Sequence, residues 1–311
     1  LKEEFQNNPM PRLKVGLLLL AGLLTFGFAP IAVRYATDVE PLTLASMRTV
    51  FSVLILLPFW FRMKVPLSRL KEKGISAPMM ALAGFCLGLH FTFWIASLHY
   101  TSVASASVLV TIHPVMLIVA EGFLFKRKFR PLVWAGVLIA FTGSLMLGLA
   151  DETGGQVYPN PALGNALAFT AAVIFVVYFL IGRSIRQKAE WIDYVFHVYL
   201  HAAITCTVLT IIWVGGIPEI TLNSIVVGLA LAIGPTIIGH GAMNYAVKYL
   251  SATLLSTLVL SEAVIAAIAA YFIFGEVPSA LAVAAMTIVL GGVGLTWTRR
   301  QPPEVEAKTD I

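Results

Sequence analysis

Histidine and glutamate are scarce inside long apolar runs, yet this chain places His90, His113, His240 and Glu262 within four of them. His113 directly precedes Pro114 near the middle of the run Val103 to Phe125. Glu262 is the only carboxylate near the centre of any run. An imidazole and a carboxyl that face each other can share and exchange a proton. Burial favours the neutral acid, and a neighbouring cation favours the carboxylate. The other reading of Glu262 is a neutral acid bonded to helix backbone, holding helices together. His90, Trp94 and Ser97 follow one another at i, i+4 and i+7, on one helical face, and His240 and Asn244 at i, i+4. Tyr178 adds a hydroxyl. Such groups make an aromatic, weakly basic, hydrogen-bonding lining that suits a small zwitterion or planar metabolite, with a cation or helix N-terminus for its carboxylate. The same aromatics also suit ordinary packing. The expected substrate contacts are therefore His90, Trp94, His113, Tyr178, His240, Asn244 and Glu262, with Glu262 and His113 as the proton-coupling candidates. Gly27, Pro30, Pro114 and Pro235 are the expected bend points.

Other constellations carry less chemistry. His197 and His201 have the i, i+4 spacing of a metal pair, but no third ligand accompanies them. HExxH is missing and the histidines are scattered, so neither a metal nor a cofactor is expected. Cys86 and Cys206 fall inside apolar runs and read as buried free thiols. No GxxxxGK[ST] loop occurs, which excludes ATP hydrolysis of the P-loop kind. Two readings are open for Arg48: reaching outward or pairing with Asp38 or Glu40, or binding substrate. Glu121, at i, i+5 from Lys126, reads as an ion-pair or gate residue.

The elements that hold these groups follow from composition. Of 311 residues 59% are hydrophobic and only 12% charged, about half the charge of a soluble domain. Apolar runs of about 20 residues match a hydrocarbon core of about 30 Å. Ten spans are expected: 13–33, 42–61, 75–98, 103–125, 132–149, 163–181, 192–214, 222–247, 252–274 and 279–297. Of the 21 Lys and Arg, all but Arg34 and Arg48 then fall on one side of the bilayer, which puts both termini in the cytoplasm. The net charge of +5 is thus spent in cytoplasmic loops, and nucleic acid is not an expected partner. The first run is full length and followed by others, unlike a cleavable signal peptide.

Shifting the chain by 149 residues lays Tyr100 on Tyr249, Phe125 on Phe274, Gly143 on Gly292 and His113 on Glu262. Each copy holds five spans, an odd number, so the second is inserted upside down. The basic KRKFRP (126–131) accordingly matches the cation-free GEVPSA (275–280). The expected organisation is a polar segment 1–12, a first repeat 13–149, an extracytoplasmic linker 150–162, a second repeat 163–298 and a cytoplasmic tail 299–311. Inverted repeats place a substrate site near the midplane where they meet.

With these marks the sequence resembles the EamA branch of the drug/metabolite transporter superfamily. The resemblance rests on PLTLASMRTVFSVLILLPFW (41–60), SLHYTSVASASVLVTIHPVMLIV (97–119) and VKYLSATLLSTLVLSEAVIAAIAAYFIFGEVPS (247–279), and covers nearly the whole chain. It departs at Ala263, where the family often has Pro, and at Lys126-Arg127, where it often has Gly-Glu. It implies an all-α membrane protein of ten transmembrane helices in two inverted five-helix repeats, and an exporter. The expected function is a secondary transporter of small metabolites such as amino acids. Alternatives are another small solute (a nucleoside, sugar derivative or drug-like compound), a channel, or an intramembrane metal-dependent enzyme. The expected partners are a small-molecule substrate and the lipid bilayer of a bacterial inner membrane. Gly136, Gly143, Gly291, Gly292 and Gly294 suit either close packing of the fifth and tenth helices or a homodimer surface there.

Overall fold

The computed structural model describes residues 9–63, 71–124, 126, 128–153, 158–250, 255, 258, 259 and 261–297, the side chains of 9–12, 144, 147–153, 261, 296 and 297 excepted. The polar head before residue 9, Lys64, Arg69 and Arg127 of the basic loops, and the tail from residue 298 lie outside them. Among the described residues all regular structure is helical. The helices are α1 (Pro9–Arg34), α2 (Pro41–Met63), α3 (Ala77–Tyr100), α4 (Val103–Val110), α5 (His113–Leu124), α6 (Pro131–Thr153), α7 (Pro161–Arg186) and α8 (Trp191–Val214). They continue with α9 (Leu222–Leu231), the π-helical α10 (Ala232–His240), α11 (Gly241–Ala246), α12 (Ser261–Phe274) and α13 (Ala280–Trp297).

Local chemistry sets where these helices begin and end. Asn160 caps α7 by accepting from the Leu163 amide at 3.1 Å, with Pro161 pre-set for the first turn. Thr221 and Ser224 close a reciprocal capping box at the start of α9, which satisfies two otherwise orphaned amides. Gly215 stops α8 with φ of 74°, a left-handed conformation that glycine adopts without a Cβ clash.

Seven stretches of the described chain are long and apolar enough to cross a bilayer: Leu13–Arg34, Pro41–Met63, Ala77–Tyr100, Val103–Leu124, Pro161–Arg186, Trp191–Val214 and Leu222–Ala246. Shorter apolar helices cover Pro131–Gly143, Glu262–Phe274 and Ala280–Leu295. Their outer faces carry exposed Leu17, Leu20, Leu24, Phe59, Ile212 and Phe272. An apolar girdle of this kind suits lipid rather than water. The protein is an integral membrane protein.

The stretch Val103–Leu124 is the most buried of the seven, so the bundle is assembled around it. α4 packs on α7 and α12, and α5 on α7. α3 lies along α7 and α8, and α2 along α8, α9 and α10. α1 lies against α10, α11 and α12. α6 and α13 pair with each other. That last contact uses the glycines: a Cβ on Gly292 would sit 2.5 Å from the Ala140 amide nitrogen, and one on Gly143 would sit 2.8 Å from that of Val289. Gly143 and Gly292 are therefore consumed inside the chain, whereas Gly291 and Gly294 have open space beside them.

Candidate functional site

Two prolines shape the centre of the bundle. A proline in a helix has no amide to offer the carbonyl four residues back, and its ring pushes that carbonyl aside. Pro114 orphans the Val110 carbonyl in this way, and the fourth apolar stretch breaks at Thr111-Ile112 into α4 and α5. The orphan is met by a side chain: His113 Nδ1 lies 3.2 Å from the Val110 oxygen. Pro235 has no amide to offer the Leu231 carbonyl, and there the helix widens into the π-helical α10, a form that often marks functional sites. Its i→i+5 pattern brings the Thr236 amide to that carbonyl. The Thr236 hydroxyl adds a second donor, 2.8 Å from the Leu231 oxygen.

These repairs fix the polarity of the site. A carbonyl only accepts, so His113 Nδ1 carries the proton, and Nε2 of the neutral ring is a bare acceptor. That Nε2 is buried and meets no partner among the described residues. His90 is held in the same sense, its Nδ1–H donating to the Ala171 carbonyl at 3.0 Å. The Thr236 hydroxyl has spent its hydrogen on Leu231 and accepts from Arg48 Nε at 2.6 Å. Its own backbone carbonyl accepts from the Tyr199 hydroxyl at 2.7 Å.

These groups surround one cavity. Its polar wall is Arg48, His90, Thr111, His113, His240 and Glu262. Phe26, Trp94, Val110, Phe175, Met243 and Val259 form most of the rest, with Ala29 and Pro235. Phe175 is the hub: its ring centroid is 4.7 Å from that of His113, 5.1 Å from His90 and 6.0 Å from His240. The space open to the centre of a water molecule is only about 30 Å³, room for one or two waters. A larger ligand therefore needs the walls to move apart.

Five of the seven expected substrate contacts, His90, Trp94, His113, His240 and Glu262, line this cavity, and so does Pro235. Tyr178 and Asn244 do not. They lie next to His240, with Tyr178 at 6.4 Å between ring centroids, but spend their polar atoms on each other. The Asn244 amide donates to the Tyr178 oxygen at 2.8 Å, and the Tyr178 hydroxyl lies 3.1 Å from Asn244 Oδ1. The Asn244 backbone carbonyl accepts from the buried Arg186 at 2.8 Å. Glu262 and His113 share the cavity without a hydrogen bond between them among the described residues. Gly27 and Pro30 sit inside α1, which runs unbroken through both. Gly27 is the point where Ile265 of α12 presses closest, where any Cβ would collide.

Arg48 is the main correction. It neither reaches outward nor pairs with Asp38 or Glu40. Only 2% of it is exposed, and its guanidinium lies 3.7 Å from the Phe91 ring centroid and 5.5 Å from that of Trp94. Phe175 is not among the expected contacts, although the 149-residue offset carries a signal for it. Four pairs of cavity residues are related by that offset: Phe26 and Phe175, Trp94 and Met243, Val110 and Val259, His113 and Glu262. His197 and His201 are elsewhere. Each bonds a carbonyl of its own helix at 2.7 Å, on Asp193 and His197 respectively.

Ion pairs lie toward the two ends of the bundle. Arg34 meets Glu276 at 3.1 Å and donates to the Thr101 carbonyl at 2.9 Å. Glu276 also accepts from the Val103 amide at 3.0 Å, which ties the start of α4 to the end of α12. Arg183 meets Glu121 at 3.3 Å. Arg34 and Arg183 are themselves 149 residues apart.

Comparison with known proteins places this arrangement. The EamA-like transporter family matches residues 13–149 and again residues 162–298. A curated relative, the uncharacterized transporter YdfC of Bacillus subtilis (strain 168), is 23% identical over 265 residues, covering 83% of this chain and 82% of its own. A protein of known crystal structure superposes with a TM-score of 0.64 at 19% identity, over 91% of this chain and 97% of its own. That last likeness concerns the fold alone.

Proposed function

The chain belongs to the EamA-like transporter family and is a membrane transporter by that membership; from this premise we propose that it is a secondary-active exporter of small metabolites such as amino acids. It works by alternating access: two inverted five-helix repeats, residues 13–149 and 163–298, rock about the central cavity. The observation that carries the reading is the makeup of the cavity wall, where four pairs of residues exactly one repeat apart face the same space. A site lying on the axis between two copies has this composition.

The packing of the helices supports the same symmetry. α1 lies on α12 as α7 lies on α4, and α3 lies on α7 as the α9–α11 stretch lies on α1. α2 with α8, α4 with α12 and α6 with α13 are contacts between counterparts. The two ion pairs fit as well, each joining the end of the first helix of one repeat to the region closing the fourth helix of the other. In the bacterial inner membrane, with both termini cytoplasmic, Arg34–Glu276 then closes the outer end and Glu121–Arg183 the inner end. Breaking them in turn opens one side at a time.

His113 and Glu262 supply a route for proton coupling. The bare Nε2 of His113 and a carboxyl in the same cavity can exchange a proton through a substrate group or a water. The test of transport is a flux assay in proteoliposomes containing the purified full chain, with a panel of amino acids, nucleosides and sugar derivatives. Saturable flux of an amino acid supports the reading. Absence of saturable flux for every compound overturns it.

A further inference from the structure

Arg48 is a buried cation with most of its hydrogen-bonding capacity unspent. Nε donates to Thr236, but among the described residues no protein acceptor meets either terminal nitrogen. The side chain is 2% exposed and lines the central cavity. Its flat face is occupied, with Phe91 3.7 Å away, so the unbonded edge of the guanidinium is what remains for a ligand. Glu262 acts on it electrostatically from the same cavity without bonding its terminal nitrogens among the described residues, and a planar fork of two N–H donors matches a carboxylate. Thr236 and Phe91 hold that fork in place before any ligand arrives, which lowers the ordering cost of binding.

The same cavity offers the opposite chemistry. Glu262 is 7% exposed, and no hydrogen bond reaches its carboxyl among the described residues. His113 Nε2 is a second acceptor without a partner among the described residues. Phe175 and Phe26 supply an apolar wall.

We infer that Arg48 is the carboxylate anchor of the substrate site, and that the substrate is an amino-acid-type zwitterion whose ammonium group faces Glu262 and His113 Nε2. The inference rests on the transport reading for the site's purpose, but not for its chemistry. It also gives the anchor a mechanical consequence. Thr236 joins Arg48 to the π-helical segment at Pro235, so a ligand that pulls on the guanidinium pulls on the most irregular part of the helix wall.

The test is binding to the purified full-length protein, with the proteinogenic L-amino acids offered as free acids and as their carboxamides. The amide keeps size, side chain and ammonium, and replaces one carboxylate oxygen and the negative charge by a neutral NH2 donor. Wild type is expected to bind at least one free acid about tenfold or more tighter than its amide, since a hydrogen bond to a charged group outweighs one to a neutral group by more than 1 kcal/mol, or roughly tenfold. Arg48→Gln is expected to bring the two within about twofold of each other, a change in selectivity that a purely structural Arg48 would not produce. Equal binding of acids and amides by wild type, no binding of any acid, or a preference that survives Arg48→Gln overturns the inference. The wild-type comparison stands even if the variant fails to fold. Acid-selective binding without flux in proteoliposomes sinks the transport reading and leaves the anchor. Flux of amides as fast as acids does the reverse.

Discussion

Thr236→Val isolates the joint between the cavity and the helix that frames it. Valine keeps the shape of threonine and removes one hydroxyl, so little cavity is created. Two hydrogen bonds go with it: the one to the Leu231 carbonyl at 2.8 Å and the one from Arg48 Nε at 2.6 Å. The first contributes about 1 kcal/mol, the net worth of a typical hydrogen bond. The second lies between the roughly 0.6 kcal/mol of an average interhelical bond in a membrane and the roughly 1.5–3 kcal/mol of a bond to a charged group. The sum is a loss of about 1.6–4 kcal/mol. Thr236→Ser keeps both bonds and loses only a methyl, about 1 kcal/mol. The assay is reversible unfolding in mixed micelles of wild type, both variants, Arg48→Met and the Thr236→Val/Arg48→Met double variant. The double-mutant cycle should return a coupling of about 1 kcal/mol or more between the two positions. A Thr236→Val protein within about 0.5 kcal/mol of wild type, or a coupling near zero, would refute the claim that the hydroxyl serves both groups.

Other outcomes follow from the same contacts. Gly292→Val should destabilise by about 1–3 kcal/mol or more, because its Cβ would meet the α6 backbone at 2.5 Å and a packed interface cannot absorb it. Gly291→Ala, which faces open space, should leave unfolding unchanged, and a change in oligomeric state measured by light scattering would place a homodimer surface there. Glu262→Gln should flatten the pH dependence of transport between about pH 5 and pH 8; a profile identical to wild type counts against proton coupling through this residue. Glu276→Gln weakens the Arg34 pair and should raise the reactivity of a cavity cysteine toward a reagent added outside, whereas Glu121→Gln should raise it toward one added inside. Equal effects on both sides would contradict the assignment of the two pairs to opposite ends.

The apolar segments were legible because span length and charge asymmetry are written in composition, and the described helices fall where those segments lie. The broken fourth stretch and the π-helical α10 were legible as prolines. Their geometry was not: at Pro114 the Val110 carbonyl is met by the His113 ring, whereas at Pro235 the backbone shifts to i→i+5 bonding and the Thr236 hydroxyl adds to it. Of the two readings open for Arg48, the outward reach suggested by its nearness to a helix end is the one the structure removes. What holds it inside is Thr236, distant in sequence, together with the face of Phe91. Tyr178 and Asn244 have the residue types of a binding site, and sequence cannot reveal that each is spent on the other. Phe175 carries no chemistry of its own. Only its place one repeat from Phe26 marked it.

Alternating access about this cavity is tested most directly by labelling from both sides. With Cys86 and Cys206 replaced, a cysteine is placed at Val110 or at its counterpart Val259, both on the cavity wall. Sealed vesicles of known orientation are then treated with an impermeant thiol reagent outside or inside. The account predicts that each position reacts from both sides, that substrate alters both rates, and that the two positions behave alike. Reaction from one side only, or from neither under conditions of active flux, would contradict it.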